Sequence, residues 1–498
     1  MGRSITRRDA DDDLIRELFL KTLVFDDQLG RVAALCLRRL CRNRNERKHT
    51  VKRHIILALA CAGMAIEVFG QGVPLSDERV AAMKEIEADT AEIRGLPFKT
   101  AVSYREMEKA ELTKYLEKKF RENATPEELK NRSRAYIALG LYPKGFDMEK
   151  EFLALLQEQV GAFYDHATKG LVTFKDQKMG ASFQRVLLAH ELVHALQDQH
   201  FNFSSYPEMT MKDNDDRQRA FQCLFEGDAT FIMPKAMMKR INMATIFQDL
   251  QEAMKGQSTE RLDKAPPIMR DTLTFPYTAG NEFVAKLYAT KNSYEPVNAA
   301  FKNLPKSTEQ ILHPEKYYDP AKRDDPRDIK KSPIKSNKWK LIDNNVLGEL
   351  GIRLLFATQL PPPPKPAKTD MMAKLTGAME PSPVSAEGLA AAAGWGGDRY
   401  HAYLANDGGT EHVGIWWSTE WDTEEDAVEF SDMLRQVLHK RFPDLKVKRE
   451  DRKQGFVILE GSEITARLFR KGDKVSLIQA PTAQFDDFSS LVLKSGGR

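Results

Sequence analysis

Cysteine is scarce: four residues in 498, at positions 36, 41, 61 and 223. That number and spacing exclude a disulfide framework and any Cys-rich metal cluster. A chain of this length buries a sufficient core without covalent staples. Net charge is also small, +3 overall, with +6 held by residues 1–54 and the remainder near −3. A body so close to neutral gives no case for nucleic-acid binding. Long apolar runs are missing too. The run Ile55–Phe69 is shorter than the roughly 20 residues a membrane span needs, and Glu67 interrupts it. No internal repeat of fixed period is present.

What is present begins with that short run. IILALACAGMAIEVF follows the basic stretch 47–54, the order of a secretory signal peptide. Val68 and Gly70 fit a small-residue cleavage pattern, so residues 51–70 read as a signal and Gln71 as a new N-terminus. Ala60-Cys61 offers a lipoprotein alternative, but the apolar stretch before it is too short. Residues 1–50 read as a start assigned too far upstream or as an N-terminal extension. The expected location is secreted or periplasmic, with no stable membrane span after signal cleavage.

Hydrophobic residues at 42% and charged residues at 30% are ordinary for a globular protein. The expected fold class is α+β. Residues 71–320 read as a mainly helical domain with a small β-sheet. Residues 321–385 read as linker segments around a helix near 345–358, and 386–498 as a C-terminal α+β domain. Ser76-Asp77-Glu78 starts a helix, Pro97–Val102 reads as a short strand, and a charged helix follows over Arg105–Arg121. Thr125-Pro126 opens a helix running to Leu139, and Asp147–Gln159 forms the next. Residues 161–174 read as a β-hairpin. A long helix then carries the His190–His194 motif, and Asn214–Met233 forms another, ended by Pro234. Gly394-Trp395-Gly396-Gly397 reads as a turn before strands at 399–404, 412–418, 445–449, 456–460, 464–469 and 475–480, with one helix at 424–440.

The chemistry-bearing segment is His190-Glu191-Leu192-Val193-His194. Residues four apart share one helix face, so both imidazoles can meet one Zn²⁺ at ~2.0–2.1 Å. Glu191 projects about 100° round the helix, which suits a general base acting on metal-activated water rather than a ligand. A pair of His and a Glu on an otherwise apolar helix is expensive to bury without a metal.

Two candidates compete for the third ligand. His200 completes a spacing that resembles the metzincins, but Gln197 stands where that family has Gly. On an unbroken helix His200 lies ~15 Å along the axis from His190. Glu226, in Phe225-Glu226-Gly227-Asp228, is the favoured candidate. With it the chain resembles a gluzincin, a zinc peptidase whose third ligand is a Glu from a following helix. That resemblance implies a zincin-like fold, His190, His194 and Glu226 as ligands, Glu191 as base, and Gly227 as the point where the second helix nears the first. Tyr277, in Tyr277-x-x-Gly280-x-x-Phe283-Val284, is similar to a gluzincin segment that donates to an oxyanion. Asp228 and Asp198 are candidate partners for the histidines' other nitrogens, and His200 a cap for the helix end. Segments 308–317 and 394–400 look like those of secreted bacterial HExxH proteins of undefined substrate. The expected function is zinc-dependent hydrolysis of a peptide or protein substrate. The alternative is a zincin-fold envelope protein that binds partners or peptidoglycan. Trp416, Trp417 and Trp421 read as core rather than as a binding surface.

Overall fold

Helix ends in this chain are set by their caps. In the computed structural model the described residues are 72–159, 162–175, 181–202, 205–239, 260–330, 333–363 and 381–496. The expectations for residues 1–70 and for most of the proline-bearing stretch before 385 lie outside them. Ser76 Oγ accepts from the Arg79 N–H to start α1 (Asp77–Arg94), and Gly95 closes it at φ 71°. Glu108 and Glu111 form a capping box at α2 (Lys109–Asn123). Thr125 and Glu128 form another at α3 (Pro126–Leu139), with Pro126 in the first turn. Helix α4 (Met148–Gln159) follows.

The first sheet has four strands in the order β1-β2-β4-β3 (Val73–Pro74, Ser103–Met107, Gly170–Phe174, Ala162–Asp165). β2 and β4 run parallel; the other pairs are antiparallel. β3 therefore forms an edge. The hairpin turn is held by Asp165, which accepts from Ala167 N–H at 3.0 Å and Thr168 Oγ1 at 2.9 Å. The strand expected at 97–102 forms instead at 103–107. Backbone groups of Lys99 and Thr100 bond to the Gln199 side chain at 2.6–3.1 Å, so that stretch spends its hydrogen bonds on a side chain rather than a ladder.

One face of this sheet is covered by α1 and α5 (Ala181–Phe201), through Met83, Ile86, Tyr104, Leu171, Leu188 and Leu192. The other face packs Met107, Val172 and Phe174 with Tyr115 of α2 and Phe163. Helix α6 (Asp215–Phe231) ends before Pro234, which sits instead in the first turn of α7 (Met233–Lys239), where a missing N–H costs nothing. Then come α8 (Glu260–Lys264), the long α9 (Pro267–Lys291), and short helices α10 (Glu295–Ala300), α11 (Thr308–Leu312) and α12 (Glu315–Tyr318).

The second sheet has seven antiparallel strands, ordered β5-β6-β7-β11-β10-β9-β8. They are β5 (Lys340–Asn345), β6 (Trp395–Asp407), β7 (Thr410–Trp421), β8 (Lys446–Asp451), β9 (Phe456–Glu460), β10 (Ile464–Lys471) and β11 (Lys474–Pro481). The helices between and after them are α13 (Gly348–Gln359), α14 (Ala386–Ala390), α15 (Glu424–Arg441) and α16 (Phe485–Lys494). β5 was not expected from sequence: it contributes an edge strand from within the stretch read as linker. The expected turn at 394–397 is instead the start of β6. Only Gly394 is left-handed, at φ 70°, and a bulge falls between Trp395 and Gly397. A Cβ on Gly397 would lie 2.4 Å from the Arg327 carbonyl oxygen.

The molecule is α+β, as expected. One continuous apolar core runs from α3, α6 and α9 through α13 and α15 into the second sheet. Trp395, Trp416, Trp417 and Trp421 are all at most 1% exposed, so the tryptophan cluster is core. Asp398 organises part of it. Its carboxylate accepts from Leu347 and Gly348 N–H and from the indoles of Trp395 and Trp417, at 2.9–3.1 Å. Among the described residues, no helix is long and apolar enough to cross a membrane.

Candidate metal centre

Helix α5 is buried nearly all round: Leu192, Val193, Ala195 and Leu196 are fully buried, and His190 and Glu191 are 6% and 8% exposed. The two imidazoles emerge one turn apart. Helix α6 crosses beside them and supplies Glu226. His190 Nε2 lies 3.1 Å from Glu226 Oε2, His194 Nε2 3.4 Å from the same oxygen, and the two Nε2 atoms are 3.2 Å apart. Three donors each about 2.05 Å from one tetrahedral ion stand about 3.3 Å apart. The triangle formed by these atoms has those sides. The set of ligand atoms therefore fits zinc.

Charge points the same way. Burial alone would raise the Glu226 pKa, but His194 beside it and hydrogen bonds from both histidines hold it well below the usual carboxylate range. Burial would depress His194, yet the Glu226 carboxylate raises it to about 9. A negative oxygen facing two ring nitrogens is a place for a cation, whether a proton or a metal.

Glu191 points to one side of this triangle. Its Oε2 accepts the Tyr164 N–H of edge strand β3 at 2.9 Å. Burial raises its pKa, against the pull of His194 and His190. Tyr164 is itself clamped to α5, its hydroxyl donating to Asp198 at 2.8 Å, with Lys169 on the same oxygen at 2.6 Å.

Tyr277 reaches the site from α9. Its ring stacks at 6.0 Å on His190, and it is 44% exposed. The Glu226 charge and then burial raise its pKa well above the usual phenol value. Two glycines make this contact. A Cβ on Gly227 would lie 2.2 Å from the Gly280 carbonyl oxygen, and one on Gly280 would lie 2.4 Å from that of Cys223. So Gly227 faces α9 and not α5, contrary to expectation. It is one residue past Glu226 and hence about 100° further round the helix.

His200 is not brought to the other two histidines; its Nε2 bonds the Pro97 carbonyl at 2.7 Å. The helix continues unbroken past Gln197 and stops only at Asn202, which is left-handed at φ 54°. Asp198 is occupied by Tyr164 and Lys169. Asp228 approaches His194 only through Gln197, whose part was not foreseen. Gln197 Oε1 lies 2.8 Å from His194 Nδ1, while its Nε2 donates to Phe225 O and to Asp228, both at 3.0 Å. The one signal in the sequence was that a Gln stands where the metzincin pattern has Gly.

A second acidic cluster, Glu309, Asp324 and Asp422, has the spacing of a metal site. It already holds a cation: Lys316 Nζ lies 2.7, 2.9 and 3.0 Å from the three carboxylates. Segment 308–317 thus ties helices to the second sheet rather than building a centre.

Residues 339–489 match a family described as a domain of unknown function (DUF8575). The match runs from β5 into α16 and leaves the His190–His194 helix outside it. No curated protein and no solved structure matches the chain.

Proposed function

We propose that this protein is a zinc-dependent peptide hydrolase of gluzincin type, acting outside the cytoplasm. The observation that carries the reading is the triangle of His190, His194 and Glu226 atoms, with sides of 3.1–3.4 Å. Zinc, when bound there, supplies the Lewis acidity that activates water and polarises a carbonyl. Glu191, buried and with a raised pKa, takes the proton from the attacking water and returns it to the leaving nitrogen. The Tyr164 N–H orients that carboxylate. On the edge of β3 the Tyr164 N–H is held by Glu191, so an extended peptide would pair with the edge groups beside it, and the half-exposed Tyr277 hydroxyl is in reach to donate to its carbonyl oxygen. The signal-like order of residues 47–70 supports export.

The test is metal analysis and cleavage of a peptide library by the full chain and two variants. The expected result is one zinc per wild-type chain, none after Glu226→Ala, and zinc retained after Glu191→Gln with hydrolysis reduced by about 10²–10⁴-fold. A chain that binds zinc but cleaves no peptide, unchanged by Glu191→Gln, would instead be an envelope binding protein.

A further inference from the structure

The Gln197 amide can sit only one way round. Its two N–H donors meet groups that only accept, the Phe225 carbonyl and the Asp228 carboxylate, both at 3.0 Å. Reversing the amide would set its oxygen against both. Oε1 therefore faces His194 Nδ1 at 2.8 Å, and that nitrogen must carry its proton and donate it. Nε2 of His194 is then the nitrogen turned to Glu226 and His190.

The far end of this chain is a buried ion pair. Asp228 pairs with Arg94 Nε at 2.7 Å, and neither side chain has any exposure. Arg94 also donates to Asn298 at 2.7 Å and lies 4.4 Å over the Tyr294 ring. Gln197 itself is fully buried. His190 has no counterpart to this support, since its buried Nδ1 finds no acceptor among the described residues.

We infer that Gln197 is a positioning residue for the metal centre, acting through His194. It locks the His194 tautomer with Nε2 free for a cation. By bonding Phe225 and Asp228 on either side of Glu226, it also sets the spacing of α5 and α6 that brings the third ligand into place. The inference rests on the zinc reading above, and it makes His194 the anchored ligand and His190 the adaptable one.

Zinc competition titrations and imidazole N–H resonances of the selectively labelled full chain test this. Gln197→Leu is expected to weaken zinc binding by about 10–100-fold and to abolish the slowly exchanging His194 Nδ1–H resonance. In the double variant Gln197→Glu with Asp228→Asn the roles are exchanged towards His194 and residue 228 only. The introduced carboxylate accepts from His194 Nδ1–H, and the introduced amide donates back to it while its oxygen meets Arg94, but the bond to the Phe225 carbonyl is lost. This double variant is expected to keep that resonance and to bind zinc more tightly than Gln197→Leu, though more weakly than wild type. Unchanged affinity and an unchanged resonance in Gln197→Leu would overturn the inference. If Gln197→Leu does not fold, the double variant decides: the resonance retained supports the inference, and its loss overturns it. A wild-type chain that shows the resonance but binds no zinc would overturn the proposed function and leave the Gln197 contact standing.

Discussion

The carboxylates of Asp398 and Glu226 differ in both burial and surroundings: Asp398 is 1% exposed, whereas a quarter of the Glu226 side chain is open. Asp398, in the second sheet, is met by four N–H donors from loop and indole groups. Glu226 is met by two ring nitrogens from a neighbouring helix. The first arrangement fills the hydrogen-bonding positions of its carboxylate, although burial still raises the pKa, and serves folding. The second is balanced only by a cation. Buried polarity alone therefore does not mark a candidate site; a partly open carboxylate set against ring nitrogens is the better sign.

Exchanging the fates of these two carboxylates gives the largest expected effect. Asp398→Ala leaves four buried donors without an acceptor and should cost about 3–5 kcal/mol in denaturant unfolding, with zinc stoichiometry unchanged in the folded protein. Glu226→Ala should act on the other side, abolishing zinc binding in a chain that still folds. If Asp398→Ala also removed zinc from folded protein, the separation of the two regions would fail.

A smaller effect comes from His401, buried on β6 against Trp416 at 5.4 Å. Burial, then the neighbouring Arg399 charge, lowers its pKa to about 4. The unfolded value is about 6.5, so between the two the unfolded chain binds more protons. Stability is then full above about pH 6.5 and falls as pH drops towards 4, by about 1.4 kcal/mol per unit at most. His401→Phe should flatten this acid limb in unfolding measured at pH 7 and pH 4.5.

The smallest expected effect sharpens the comparison from the side of the site. Gly280→Ala drives a Cβ into the Cys223 carbonyl, separating α6 from α9. A loss of about 1–3 kcal/mol is expected, with Tyr277 drawn away from Glu226. Hydrolysis should fall more than zinc affinity, because Tyr277 is not a ligand in the proposed set.

Much of this was legible in the sequence where the signal was local. The caps Ser76 and Thr125, the 162–174 hairpin, α5, α15 and the strand Phe456–Glu460 formed close to their expected places. Each is written in a few neighbouring residues. β5 was missed because Lys340–Asn345 alternates weakly and gains its strand form from pairing with β6. Its Asn345 then bonds the Asp215 N–H at 2.7 Å, at the start of the helix that carries Glu226. A segment more than a hundred residues downstream thus helps position the candidate third ligand, and no local pattern announces that.

By itself the sequence determined most of the helices and the shared face of His190 and His194, because helical periodicity is a property of adjacent residues. The tertiary structure decided which faces meet. It turned Gly227 to Gly280 instead of to α5, sent His200 to Pro97, and gave Gln197 its place beside His194. The physical reason is that close packing between distant segments, not spacing along the chain, selects the partner of a buried polar group.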